Sequence, residues 1–282
     1  MTECKTAFRC GKISIREQFK SGSIYILLFL VYCIIWYTYP GVSKYLYQTG
    51  GHINIWELYI WFISSRFSQL LYVIMILCLG HQTVSIQCGN AYTIFRSSKK
   101  AWVLGKISHL FFNIILLNIV ILISTWSICG WRVGVSGEWS KAAVTASQFN
   151  VDKVGMRTLV YIPTGVLRTN PIIAGIIQFL LSVLVGMFSG MLLLVFSLGN
   201  RAPYGASIIF GIWYLDILIS EEPLLEILEY ASPYGLARIG RSTLNYGFFS
   251  ANYALISLAL MCAVMVEIIM ILCEKTDFVK IG

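Results

Sequence analysis

Phe95-Arg96-Ser97-Ser98-Lys99-Lys100-Ala101-Trp102-Val103-Leu104-Gly105-Lys106 is a short basic patch held between two long apolar runs. Phe67 to Phe95 contains no Asp, Glu, Lys or Arg, and Ile107 to Trp131 contains none either. Each run exceeds the roughly 20 residues that a helix needs to cross a bilayer. The patch therefore reads as a loop at a membrane face, and its charge assigns it to the cytoplasmic side.

Working outward, further charge-poor runs repeat the pattern. Six helical spans are expected, at about 21–43, 64–90, 105–129, 171–199, 203–220 and 248–273. Solid apolar runs suit helices, whereas a transmembrane barrel alternates apolar and polar residues. The fold class expected is thus an all-α polytopic membrane protein, with residues 21–282 forming one transmembrane domain. Composition agrees: 57% of residues are hydrophobic and 12% charged, with mean hydropathy +0.75, against about 25% charged in soluble domains. The net charge of +8 flanks apolar runs. Anionic headgroups are therefore the expected counterpart, and nucleic acid is not. The eight cysteines form no CxxC pair and read mainly as small buried hydrophobes. The first apolar run leads into Tyr39-Pro40-Gly41, so no cleavable signal peptide is expected.

With six spans both termini share a side. Placing them inside gathers 12 of the 21 Lys and Arg there, with Lys5, Arg9, Lys12, Arg16 and Lys20 leading the chain. Both termini are expected in the cytoplasm of a bacterial cell. Residues 1–20 read as an interfacial amphipathic helix, with Cys4, Phe8, Gly11, Ile15 and Phe19 on one face and the basic residues elsewhere.

Two outer segments are long. Residues 131–170 are too long for a simple connector and carry Trp131, Trp139, Phe149 and Tyr161. In 221–247, Pro223 fits a first helical turn capped by Ser220, and Leu224, Leu225, Ile227 and Leu228 continue it. Ser232-Pro233 breaks that helix, and a second runs from Tyr234 towards Asn245. The pair reads as an outer re-entrant hairpin.

The chain has no G-x-x-x-x-G-K-[ST] phosphate loop, no H-E-x-x-H and no G-x-S-x-G, and its three histidines, His52, His81 and His109, are scattered. No catalytic residue, cofactor ligand or metal ligand is nominated. If transport is driven, the energy must come from a partner or an ion gradient.

This layout resembles the type-two ABC export permeases, the transmembrane subunits of type V ABC exporters. The residues that carry the resemblance are Arg96 to Lys106 and Tyr230-Ala231-Ser232-Pro233-Tyr234-Gly235. The resemblance implies an amphipathic helix before the first span and a basic coupling helix between the second and third. It also implies an outer hairpin between the fifth and sixth. By that likeness Arg96, Ser97, Ser98, Lys99, Lys100 and Trp102 contact the ATPase. Leu224, Leu228, Ser232, Pro233 and Tyr234 form the outer gate. The implied partners are two ABC ATPase subunits and a second permease, identical or homologous. ATP and Mg would be bound in the ATPase, and the chain itself would not be an enzyme. The long 131–170 segment departs from the family and suggests an added external element.

Within the spans, Ser182, Gly186 and Gly190 recur every four residues, a strip that lets helices approach closely. Asn113, Asn118, Ser124 and Gln178 are polar groups in apolar runs. Glu267 is a candidate for an intramembrane ion pair with Arg16 or Lys20, and Asp216 is expected near the outer headgroups. The function expected is export of a hydrophobic or amphipathic substrate such as a peptide or antimicrobial. The rival readings are a gradient-driven transporter, or a membrane sensor or enzyme subunit that binds ligand at 131–170.

Overall fold

Ser98 opens the longest helix among the described residues, accepting a hydrogen bond from the Ala101 amide at 3.2 Å, and the chain then stays helical from Lys99 to Cys129. That helix and its neighbours come from a computed structural model, which describes residues 2–20, 22–38, 51–84, 98–141, 143–144, 164–199, 201–221, 228, 230–239 and 251–275. The elements in chain order are α1 (Thr2–Lys20), α2 (Ser23–Thr38), β1 (Ile53–Asn54), α3 (Ile55–Ser64), α4 (Arg66–Val84), α5 (Lys99–Cys129), β2 (Val133–Gly134), α6 (Thr164–Leu167), α7 (Pro171–Leu198), α8 (Ala202–Glu221), α9 (Pro233–Leu236) and α10 (Ala251–Lys275).

Four helices, α5, α7, α8 and α10, are long and apolar enough to cross a membrane, and the number rises to six if each of two bent pairs counts as one span. The chain is a helical membrane protein by this architecture. α7 is its axis. Asn170 caps it by accepting from the Ile172 amide at 2.9 Å, and Pro171 occupies the first turn, where no amide is needed. α3, α4, α5, α8 and α10 all pack against it. The share of its apolar window that is buried is 61%, against 17% for α8 and for α10, so α7 is a core helix and the other two are peripheral.

The first bent pair is α1 and α2, turned by 71°. Gly22 lies in the turn with φ +71°, a left-handed backbone that glycine adopts without a Cβ penalty. α1 lies along the start of α5. At their crossing a Cβ on Gly105 would come within 2.8 Å of the Cys10 Cβ and 3.0 Å of the Ala7 carbonyl oxygen. Gly11, which lowers intrinsic helix propensity, is therefore a contact residue. The single apolar face expected for this helix divides in two. Ala7, Gly11 and Gln18 are buried against the protein, while Phe8 is 70% exposed. Arg9, Lys12, Arg16 and Lys20 are exposed elsewhere on the helix.

The second bent pair is α3 and α4, turned by 83° at Ser65, whose backbone is extended. Expected at 64–90, this span begins nine residues earlier, at Ile55. Glu57 and Arg66 interrupt the charge-free run in the sequence. In the fold Glu57 is fully buried and its carboxylate accepts from the Ser140 amide at 2.6 Å and the Ser140 hydroxyl at 2.7 Å. Those bonds are what a buried carboxylate needs in place of water.

The helices α7, α8 and α10 begin and end within a few residues of the expected apolar runs. The third span differs at its start: α5 is one continuous helix of 31 residues from Lys99, so the basic patch supplies its first turn. At the far end of α5, Gly130 has φ +57° and ends the helix. The chain there forms a two-residue parallel pairing, Ile53 with Val133 and Asn54 with Gly134. Trp139 Nε1 donates to the Thr169 carbonyl at 2.7 Å. The described ends of the 131–170 segment are thus fastened to α3 and to the start of α7. Residues 145–163 lie outside the described residues, as do 39–43, 85–90, 222–227, 240–247 and 248–250 of the expected spans and hairpin.

Candidate functional site

Proline at 233 and serine at 232 set the local geometry of the site. Ser232 Oγ accepts from the Gly235 amide at 3.2 Å, and Pro233 begins a four-residue helix, α9. Within the expected helix from Tyr234 towards Asn245, the described part is α9 with Ala237 as its cap, followed by a helical residue at Ile239; 240–245 lie outside the described residues. Gln178 of α7 spans the break after α9: its Nε2 donates to the Ala237 carbonyl at 2.8 Å, and its Oε1 accepts from the Ile239 amide at 3.0 Å. A glutamine side chain thereby takes over two backbone bonds. Satisfying them matters in an apolar bundle, where irregular backbone survives only when covered by protein or water.

The segment is threaded into the core. Pro233 to Ile239 are all buried. Arg238, at 5% exposure, pairs with Asp216 of α8, at 0%. Asp216 Oδ1 also accepts from Ser232 Oγ at 2.5 Å. Arg238 Nη2 and Nε donate to Gln69 Oε1 of α4 at 2.7 and 3.1 Å. Gln69 Nε2 in turn donates to the Tyr234 carbonyl at 2.9 Å, and the Tyr234 hydroxyl meets Ser189 Oγ of α7 at 2.9 Å. Arg238 and Asp216 therefore join α4, α8 and the inserted turn, and Tyr234 and Gln178 link that turn to α7. Asp216 does not face headgroups; it is the counter-ion of this junction. Both charges are compensated and hydrogen-bonded, which makes the cluster a mechanical connection rather than an acid–base pair.

A second buried network lies beside it. The Tyr59 hydroxyl contacts Asn118 Oδ1 at 2.8 Å and Ser182 Oγ at 2.7 Å. Tyr72 accepts from Asn118 Nδ2 at 2.9 Å and donates to the Ser182 carbonyl at 2.7 Å. Ser182 is a hydrogen-bonding hub as well as a small residue. Gly186 and Gly190 do serve close packing: a Cβ would come within 2.9 Å of Ile114 at the first and 2.7 Å of Leu110 at the second.

The sequence-nominated coupling patch is divided by the fold. Ser98 is the cap of α5, and Lys99 and Lys100 are exposed. Trp102 is 3% exposed and packs in the core with Leu110, Met265 and Ile269. Lys106 is buried too, with its Nζ 5.6 Å from the Trp102 ring centroid. Lys100 Nζ binds Glu274 Oε1 at 2.7 Å, which ties the foot of α5 to the foot of α10. Arg96, Ser97 and Leu224 lie outside the described residues. Of the expected gate, Ser232, Pro233 and Tyr234 are buried, whereas Leu228 is 49% exposed. Glu267 is exposed on α10 and makes no ion pair among the described residues.

Sequence reasoning did not place Gln69 and Arg238, which meet across 169 residues of chain. The available signal was a lone Asp in an apolar run and two arginines, Arg238 and Arg241, in the neighbouring outer segment. Among the described residues no three of His, Cys, Asp and Glu gather as a metal site. No family model, no characterised protein and no solved structure matches this chain.

Proposed function

We propose that this chain is the transmembrane permease subunit of an ATP-driven exporter of the type-two ABC export kind. It would dimerise, join two ATPase subunits, and export a hydrophobic or amphipathic substrate, a peptide or antimicrobial among the candidates, from a bacterial cell. Its termini and the Lys99–Lys100 turn would face the cytoplasm. The observation that carries the reading is the buried turn Ser232–Ile239, inserted between α4, α7 and α8 and held by Asp216 and Arg238. An inserted element anchored to three helices at once is suited to gating, because relative movement of those helices must move it.

In this mechanism ATPase closure pushes on the exposed Lys99 and Lys100. The push travels along α5, which is rigid and continuous, and through the Lys100–Glu274 pair into α10. α7 and α8 shift with them, and the inserted turn opens or closes the outer exit. The gradient-driven alternative needs a charge that can change its protonation at the membrane midplane. Asp216 is instead engaged within the fold by Arg238 and Ser232.

Charge reversal tests the coupling. Lys99→Glu with Lys100→Glu should release the ATPase or uncouple hydrolysis from transport. Adding Glu274→Lys restores an ion pair within the chain without restoring the basic surface. Coupling should stay lost in that triple variant. Recovery there would mean that the lysine serves only the fold.

A further inference from the structure

An open groove lies on the outside of the bundle where α5, α7 and α10 meet. Phe111 and Ile115 line it from α5, Leu180 and Leu184 from α7, Ile256 and Ala259 from α10. Its volume is about 460 Å³ and its walls are wholly apolar, a size within the usual range for ligand sites. On α10 the groove is flanked by an exposed apolar face, with Ile256 at 60% and Leu260 at 61% exposure. Glu267 is exposed on that same side of the helix. It follows Ala259 by eight residues, which is about 12 Å along a helix. It follows the groove's α10 wall towards the end of the bundle that bears Lys100 and Glu274.

A carboxylate on an exposed face among Ile256, Leu260, Val264 and Ile271 is costly in a membrane and defaults to a functional reading. Glu267 has no ion-pair partner among the described residues, which leaves its carboxylate open to a positive group from the surroundings. We propose that the groove and Glu267 together bind an amphiphilic cation, an apolar chain in the groove and its positive group on the carboxylate. A neutral lipid tail would fill the groove and leave Glu267 uncompensated; an anionic amphiphile would be repelled by it. The site would collect cationic amphiphiles from the bilayer for the exporter. That role rests on the reading above, whereas binding does not, because it is measured on the purified chain without any ATPase.

The test uses the full chain in nanodiscs of zwitterionic phospholipid. The probe is a long-chain alkyltrimethylammonium with a photoactivatable group in its chain. Its competitors carry the same chain with a trimethylammonium, an alcohol or a sulfate head. Labelling should map to α5, α7 and α10 at the groove, and the cation should displace the probe about tenfold better than the alcohol. Glu267→Gln should erase that preference while leaving displacement by the alcohol unchanged, and Glu267→Asp should retain part of it. Ala259→Trp should reduce labelling with every competitor. Equal displacement by cation and alcohol in the unaltered protein would overturn the proposal and leave the groove a seat for bulk lipid. So would a cation preference that survives Glu267→Gln, or labelling elsewhere.

Discussion

Arg238 and Asp216 hold each other at the centre of the inserted turn, so the removal of either strands the other in the core. Arg238→Met should destabilise the protein by about 3–5 kcal/mol, the usual penalty for breaking a buried pair from one side. Adding Asp216→Asn should recover part of the loss, because no uncompensated charge then remains. Denaturation of the purified protein in detergent would show it; a double variant no more stable than Arg238→Met would argue against a charge pair. At this scale the sequence was informative where spacing is local. Ser182, Gly186 and Gly190 are legible as a strip because four residues bring side chains to one helix face. Gln69 meets Arg238, and Gln178 meets the backbone of Ala237 and Ile239, through chain reversals that no local period encodes, so these partnerships were illegible. Trp102 looked like part of a surface patch, yet helix geometry turns it inward between the exposed Lys99 and Lys100 and the apolar core.

At the scale of elements, α1 and α5 cross with backbone nearly touching backbone. Gly105→Val should cost about 1–3 kcal/mol through overpacking and should loosen α1 from the bundle. Hydrogen exchange at residues 5–20 should rise in that variant while α7 stays protected; unchanged protection of α1 would mean that the glycines are incidental. The 131–170 segment yields a second expectation. Ser140 satisfies the buried Glu57, and Trp139 ties the segment to Thr169. Replacing 136–160 by a flexible linker should therefore lower stability. Replacing only 146–160 should leave stability intact and reveal any effect on transport. Equal stability of the two variants would refute the anchoring role of Ser140. The spans of α5, α7, α8 and α10 were legible because each is a long run free of interruption. α3 was not, since Glu57 reads as a break until Ser140, 83 residues away, is seen to supply its hydrogen bonds. The break between α9 and Ile239, spanned by the Gln178 side chain, is a tertiary feature that local propensity cannot foresee.

For the whole molecule, the proposed six-span reading requires Lys99 and Trp139 on opposite sides of the membrane, at the two ends of α5. Single cysteines at 99 and 139 in a cysteine-free background, probed with an impermeant reagent on intact cells, should label at 139 and not at 99. The central claim is that this bundle is moved by a separate ATPase. The most direct measurement is purification of the tagged chain from its native membrane under mild detergent, followed by reconstitution into liposomes with ATP. The account predicts a co-purifying protein that carries a phosphate loop, and ATP-dependent movement of an amphiphile that is lost in the Lys99→Glu/Lys100→Glu variant. A chain that purifies without any such protein, and transports in response to an ion gradient alone, would contradict it.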